Sequence, residues 1–162
     1  MKETSARPAD RIERLVNAYA DDLYRICLFR LRSAPDAEDA VQDTFLKLIE
    51  KRPVFRSEEH EKAWLIRVAL NVCADRLRER TRHPQAELSE TLAALPEDPA
   101  LRDLAEALLA LPEAYRTVLT LHYAEGYTTK EIARAIGKSA SAVKMRLQKG
   151  RDLLKDALTK GE

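Results

Sequence analysis

Apolar residues recur at three- and four-residue steps along most of the chain, which is the spacing of one face of an α-helix. In the first segment this pattern runs from Ile12 to Leu31 and predicts a helix that ends near Ser33. Pro35 then begins a second helix, because proline suits a first helical turn, and Pro53 ends it. Further helices are predicted over residues 58–82, 101–111, 112–124, 129–136 and 141–158.

The segment 83–99 separates these helices into two groups. It holds three prolines and four acidic residues among a few scattered leucines, so it buries too little apolar surface to fold by itself. We therefore predict an all-α fold of two small helical domains, residues 1–83 and 101–162. A flexible acidic linker over residues 84–100 is predicted to join them.

The composition is that of a globular protein, with 162 residues of which 45% are hydrophobic and 34% are charged. No run approaches the roughly 18 apolar residues that span a membrane, and the first residues lack the apolar core of a signal peptide. We therefore expect a cytoplasmic protein. Cys27 and Cys73 each lie within a helical pattern and are expected to be buried and reduced. The sequence leaves open whether their sulfurs meet, as a redox pair would require.

The net charge of +1 hides an uneven distribution along the chain. Residues 138–151 hold five basic residues and no acidic one. Like charges placed this closely repel one another unless a polyanion neutralises them, which favours a nucleic-acid partner. The alternative is a solvated surface that binds nothing.

Residues 128–147 have the pattern of a helix-turn-helix. Thr128 and Glu131 form a capping box at the start of the first helix, and Gly137 supplies the turn. Ala133 is small enough to let the second helix approach closely. The core shared by the two helices is predicted to comprise Ile132, Ile136, Val143 and Leu147.

Burial of Val143 and Leu147 turns the opposite side of the second helix toward solvent. This exposed stripe is predicted to comprise Ser141, Lys144, Met145 and Gln148, with Lys149 at its edge and Arg146 and Arg151 beside it. The stripe suits a DNA major groove, where lysine and glutamine side chains read base edges while arginines hold phosphates.

The first domain carries two further charged groups. The second helix presents Asp39, Gln42 and Asp43 on its polar side. The alternative to a binding surface is a solvated helix N-terminus, where the helix dipole favours acidic residues. The third helix ends in four arginines that suit phosphates: Arg76, Arg78, Arg80 and Arg82. Trp64, earlier in the same helix, is predicted to lie in the core.

Three segments together resemble the conserved regions of the extracytoplasmic-function (ECF) family of RNA polymerase sigma factors. They are A-E-D-A-V-Q-D-T-F from Ala37, A-W-L-I-R-V-A-L-N from Ala63 with Phe55 before it, and E-I-A-R-A-I-G-K-S-A-S-A-V-K-M-R-L from Glu131. The resemblance covers nearly the whole chain. It implies a sigma-two-like domain followed by a sigma-four-like domain, and a non-enzymatic function in promoter recognition.

The resemblance also implies a role for each motif. Polymerase binding is carried over to Asp39, Gln42, Asp43 and Phe45, which would meet the clamp helices of the largest subunit. Recognition of the minus-ten element is carried over to Phe55, Arg56, Ser57, Lys62, Asn71, Asp75 and Arg76, by capture of a flipped base. Minus-35 recognition falls on Ser141, Lys144, Met145, Arg146, Gln148, Lys149 and Arg151.

Further partners follow from the same resemblance: the flap of the second-largest polymerase subunit, promoter DNA and an anti-sigma factor, with no small-molecule substrate. Two departures from the family prevent the promoter sequence from being carried over. The loop that follows Phe55 holds the acidic residues Glu58, Glu59 and Glu61, where many relatives are less acidic. Gln148 stands where some relatives carry an aromatic or basic residue.

Two other functional classes are compatible with the residues alone. One is a self-sufficient helix-turn-helix regulator, which would bind symmetric duplex sites without polymerase. The other is a helical adaptor that binds only proteins. An enzyme is not indicated, because the sequence contains no paired nucleophile and base, no glycine loop for phosphate and no metal-ligand spacing. No cofactor or metal is expected.

Overall fold

The structure, a computed structural model, describes residues 7–82 and 96–160. Within these two ranges the chain forms helices and no β-strand, which confirms the predicted all-α fold. The chain divides into a first unit, Met1–Ala86, and a second unit, Glu87–Glu162. Residues 84–95, which make up most of the predicted flexible linker, lie outside the described residues.

The first unit is a bundle of three mutually packed helices: α1 (Pro8–Leu31), α2 (Ala34–Lys51) and α3 (Glu58–Arg82). Their core contains Leu15, Leu23, Leu31, Leu48, Leu65 and Ile66, all at most 1% exposed. α1 ends two residues before the predicted Ser33, because Arg32 adopts a left-handed backbone conformation and Ser33 caps α2. The bounds predicted for α3 are confirmed.

The second unit contains α4 (Pro99–Ala110), α5 (Glu113–Leu119), α6 (Thr129–Ile136) and α7 (Ala140–Lys160). The single helix predicted over residues 112–124 is wrong, because the chain changes to a π-helical turn over Thr120–Ala124. There the Glu125 amide donates to the Thr120 carbonyl five residues earlier, at 3.2 Å. Apolar residues continue through the change from α-helix to π-helical turn, so hydrophobic periodicity alone did not predict the π-helical turn.

Cys27 and Cys73 are both buried and free, as the sequence predicted. α1 and α3 bring the two thiols into hydrogen-bonding contact, a question the sequence had left open. That hydrogen bond, together with burial, raises the pKa of the Cys27 thiol. Both thiols are therefore shielded within the first unit's core.

Across the described ranges, none of the helices has the combination of length and apolar content needed to cross a membrane.

Candidate nucleic-acid and protein interfaces

The turn between α6 and α7 is fixed by local hydrogen bonds. The Glu131 amide donates to Thr128 Oγ1 at 3.1 Å and the Thr128 amide donates to Glu131 Oε1 at 2.9 Å, so the predicted capping box is present. Gly137 has a φ of 71°, a left-handed conformation that glycine adopts without a Cβ clash. The Ser139 hydroxyl then accepts from the Ala142 amide at 3.1 Å and starts α7. These contacts set the direction in which α7 leaves the turn.

The predicted helix-turn-helix core is largely confirmed. Ile132 and Val143 are fully buried and Leu147 is 4% exposed. Ile136, however, is only half-buried, and Ala135 lies in the core with 1% exposure. Ile136 is the last residue of α6, where the chain is already turning into Gly137.

α7 presents the predicted stripe to solvent. Six of the seven predicted side chains are exposed, and the seventh, Arg146, is half-buried: the exposed ones are Ser141, Lys144, Met145, Gln148, Lys149 and Arg151. We call Ser141, Lys144, Met145 and Gln148 the recognition stripe. Met145 is 71% exposed although it is apolar, so the stripe offers an apolar contact between polar and basic groups. This combination suits base edges and the thymine methyl group.

A tyrosine from the π-helical turn contacts the same surface. Arg151 Nη1 donates to the Tyr123 hydroxyl at 3.0 Å, and Tyr123 is 60% exposed. The His122 ring packs edge-on to Tyr123 with centroids 4.7 Å apart, and its Nδ1 lies 2.8 Å from the Tyr127 carbonyl oxygen. Sequence reasoning missed Tyr123, because a lone aromatic residue 28 positions from Arg151 gives no local signal.

The acidic face of α2 is defined by Asp39, Gln42 and Asp43, and its residues differ in solvent exposure and in their contacts. Asp39 and Gln42 are exposed. Asp43 instead accepts a hydrogen bond from Arg76 Nη2 of α3 at 2.8 Å. Phe45, predicted to contact polymerase, is only 8% exposed, so it supports the helix from the core rather than offering a contact surface.

Three of the four arginines at the end of α3 form ion pairs: Arg76, Arg78 and Arg80. Arg80 Nη2 lies 2.5 Å from Asp36 Oδ2 of α2, and Arg78 pairs with Asp75 within α3. Between α2 and α3 lies an open groove of about 480 Å³ lined in part by Asp43, Leu46 and Arg76. The sequence analysis treated the acidic face and the arginines as separate surfaces, whereas the structure places one member of each, Asp43 and Arg76, in the same groove.

The connection between α2 and α3, residues 52–57, is called the recognition loop. It contains three of the seven predicted minus-ten positions: Phe55, Arg56 and Ser57. Val54, at its centre, is 86% exposed, and Arg56 and Ser57 are also exposed. Phe55 is half-buried and turns toward α3, with its ring centroid 5.4 Å from His60 and 5.8 Å from Trp64. Trp64 is half-buried rather than fully in the core, because it lies at the edge where the loop meets α3.

The remaining minus-ten candidates lie along α3 rather than in the loop. Lys62 and Arg76 are half-buried, whereas Asn71 and Asp75 are exposed. The structure therefore does not bring all seven minus-ten candidates into one compact cluster.

Glu58, Glu59 and Glu61 lie in the first turn of α3 and not in the loop that follows Phe55, contrary to the sequence interpretation. Glu61 is also buried, with 4% exposure. Its carboxylate accepts from Arg14 Nη2 at 3.1 Å and from the Tyr19 hydroxyl at 3.0 Å, both from α1. Burying a charge is costly unless it is paired and hydrogen-bonded, and these two donors meet that need. Glu61 thus links α3 to α1 in the first helical turn after the recognition loop.

The Tyr19–Glu61 contact leads to a pH-dependent prediction. Burial, followed by the hydrogen bond to Glu61, raises the pKa of Tyr19 above its ordinary value of 10.0. Above pH 10 the unfolded chain therefore loses this proton before the folded chain does. The contribution of Tyr19 to the free energy of unfolding is complete below pH 10 and declines as the pH rises further. The free energy of unfolding, measured by urea titration between pH 8 and 11, should fall more steeply with pH for the wild type than for Tyr19→Phe. Parallel dependence of the two free energies on pH would contradict this role of Tyr19.

Comparison with known proteins gives two family matches. Residues 15–83 match the model of sigma-70 region 2, and residues 101–154 match the model of sigma-70 region 4. The chain is 27% identical to the ECF RNA polymerase sigma factor SigW of Bacillus subtilis, over 98% of this chain and 94% of that protein. It is 31% identical to the RNA polymerase sigma factor CarQ of Myxococcus xanthus, over 92% and 90%.

The fold is also similar to a solved structure. The sigma factor RpoE, determined in complex with the anti-sigma factor NepR from Bartonella quintana, aligns with a TM-score of 0.74 at 24% identity. The alignment covers 91% of this chain and 96% of that one. At this identity the similarity establishes the fold.

Proposed function

This chain belongs to the ECF family of RNA polymerase sigma factors, and from that premise we propose that its two helical units divide promoter recognition between them. Sigma factors are not enzymes, and the chain is a promoter-recognising sigma factor that acts with RNA polymerase on promoter DNA. We assign residues 1–83 to polymerase binding, minus-ten recognition and melting, residues 84–100 to a linker and residues 101–162 to minus-35 recognition. Its site of action is the cytoplasm.

Minus-35 recognition is assigned to the recognition stripe of α7, and this exposed stripe is the observation that carries the proposal. Lys144 and Gln148 are exposed one helical turn apart, so both reach the same stretch of a major groove. Lys149, Arg146 and Arg151 flank them and are assigned to base edges and phosphates. The capping box and Gly137 hold α7 at a fixed angle, which lets the stripe enter the groove as a preformed unit.

Tyr123→Phe tests whether the Tyr123 hydroxyl, which accepts a hydrogen bond from Arg151, contributes to minus-35 binding. The substitution keeps the ring but removes the acceptor that holds the guanidinium, so Arg151 loses part of its hold on a phosphate. Arg151→Ala should make the negative slope of log affinity against log salt concentration less steep by about one, because one phosphate contact is lost. Tyr123→Phe should weaken duplex minus-35 binding of the holoenzyme about twofold to fivefold, with little further effect in the Arg151→Ala background. Additive effects would show that Tyr123 acts independently of Arg151.

Minus-ten recognition is assigned to the recognition loop and the adjacent side of α3. The exposed side chains of Val54, Arg56 and Ser57 offer apolar, cationic and hydroxyl contacts to an unstacked base. Asn71 and Arg76 lie farther along α3. Because Arg76 is held by Asp43, its contact with a phosphate would require exchange of one anionic partner for another.

Polymerase binding is assigned to the acidic face of α2 and the groove beside it. Asp39 and Gln42 are exposed, and Leu46 next to them is 58% exposed, so the face combines negative charge with apolar surface. This chemistry suits basic and apolar side chains of the clamp helices of the largest subunit. The second unit is assigned to the flap of the second-largest subunit.

An anti-sigma factor is proposed as a further partner. A sigma factor of the same fold was solved in complex with one, the RpoE–NepR pair from Bartonella quintana. Such a partner would regulate this chain by covering the surfaces that bind polymerase.

The division of roles can be tested by footprinting the holoenzyme on one promoter. Each unit alone presents a small DNA surface, and docking on polymerase would raise the effective concentration of one unit once the other is bound. Hydroxyl-radical cleavage should show protection at the minus-35 element, and permanganate should detect unpaired thymines at the minus-ten element. Protection of a symmetric duplex site by the free chain, without polymerase, would contradict the proposal.

A further inference from the structure

A side chain of α1 holds the recognition loop from outside. Arg11 Nη2 donates to the carbonyl oxygen of Pro53 at 2.7 Å. The guanidinium carbon of the same arginine lies 5.3 Å from the centroid of the Phe55 ring. One half-buried arginine thus makes a charged hydrogen bond and a cation–π contact to two loop residues more than 40 positions later.

Residues of α3 also contact the loop. The Arg56 amide donates to His60 Nδ1 at 3.1 Å, and the His60 amide donates to the Ser57 hydroxyl at 3.1 Å. Phe55 contacts both supports, Arg11 from α1 and the His60 and Trp64 rings from α3. Its ring is therefore an anchor of the loop.

These contacts explain why Val54 points outward. Pro53 and Phe55, on either side of it, are both tied to Arg11, so the intervening residue has no route into the core and is 86% exposed. A loop fixed in this way loses less conformational entropy when it binds a ligand than a free loop does. Without Arg11 the carbonyl of Pro53 and one side of Phe55 lose their partner, and the first half of the loop gains freedom.

We propose that Arg11 is a positioning residue that preorganises the recognition loop for the unpaired strand of the minus-ten element. The inference rests on the proposed function, because it assumes that this loop meets that strand. Arg11 itself acts through Pro53 and Phe55. Replacing Arg11 should therefore weaken binding of single-stranded minus-ten DNA and promoter melting. Minus-35 recognition and polymerase affinity should be unchanged.

The test uses holoenzyme assembled from core polymerase and full-length chain, and two probes from one mapped promoter. The first is a fork-junction DNA with an unpaired minus-ten strand, and the second is a duplex containing only the minus-35 element. Arg11→Ala should weaken fork-junction binding about tenfold relative to wild type, with an unchanged affinity for the duplex and for core. Arg11→Lys should recover part of the loss, because an ammonium group keeps the cation–π contact and one hydrogen bond. Arg7→Ala is the matched control, since Arg7 lies at the start of the same helix, is 84% exposed and pairs with Asp10.

Each outcome has a distinct meaning. Equal fork-junction binding by Arg11→Ala and wild type overturns the inference while the proposed function stands. A parallel loss of fork-junction, duplex and core binding, with a lowered melting temperature, also overturns it, because Arg11 would then only stabilise the fold. Failure of wild-type holoenzyme to distinguish unpaired from paired minus-ten DNA overturns the proposed function of the loop, and the role of Arg11 falls with it.

Discussion

Replacing both Lys144 and Gln148 with alanine is expected to reduce promoter binding and transcription at limiting holoenzyme by about 100-fold. Both side chains are exposed on the recognition stripe, and a good side-chain contact to a base edge contributes about 1–3 kcal/mol of discrimination. Two contacts of about 1.4 kcal/mol each give this factor. The loss should be confined to promoters with an intact minus-35 element, because a promoter already mutated at the contacted bases has lost the same interactions.

Lys160→Ala is the matched control for this pair. Lys160 is an exposed lysine on the last turn of the same helix, so its replacement removes the same charge at a distance from the stripe. Affinities of holoenzyme for wild-type and minus-35-mutant DNA, measured at one salt concentration, decide the question. If the double substitution weakens binding to both DNAs equally, Lys144 and Gln148 contact the DNA backbone and do not read bases.

Asp39→Lys is expected to weaken binding to core polymerase at least about tenfold while promoter preference stays the same. Asp39 is exposed on the acidic face, and placing a positive charge against a basic partner surface costs several kcal/mol at a close contact and less at a solvated rim. Asp43 is a poorer probe, because its carboxylate holds Arg76 and its removal would also disturb a candidate DNA contact. The loss should grow at low ionic strength, where charge repulsion is less screened.

Glu38→Lys provides the control on the same helix. Glu38 is also exposed and makes the same charge change, but it lies about 100° around the helix from Asp39. Fluorescence titration of labelled chain with core polymerase measures both affinities. A comparable loss in the two variants would mean that the net charge of α2, and not the acidic face, governs binding.

Local signals in the sequence predicted those parts of the fold that local interactions determine. α6 was predicted with its observed bounds, because the Thr128–Glu131 capping box and Gly137 mark its two ends within the sequence itself. The recognition stripe followed from the burial of Val143 and Leu147 on the opposite side of α7. Helical periodicity converts two buried positions into an exposed face without knowledge of the tertiary structure.

Contacts between helices could not be predicted in the same way. The Asp43–Arg76 and Asp36–Arg80 pairs join residues 33 and 44 positions apart, and they depend on how α2 and α3 rotate against each other. The burial of Glu61 could not be predicted either, because its partners Arg14 and Tyr19 lie in another helix. A charged residue near a helix start gives the same sequence pattern whether it faces solvent or a buried partner.

Run-off transcription with core polymerase from a related bacterium, on a pool of genomic promoter fragments, tests most directly whether this chain directs polymerase to particular promoters. We expect discrete transcripts that require the chain, with start sites whose alignment reveals shared minus-35 and minus-ten sequences. Absence of such transcripts, together with absence of a stable complex between the chain and core polymerase, would contradict this role.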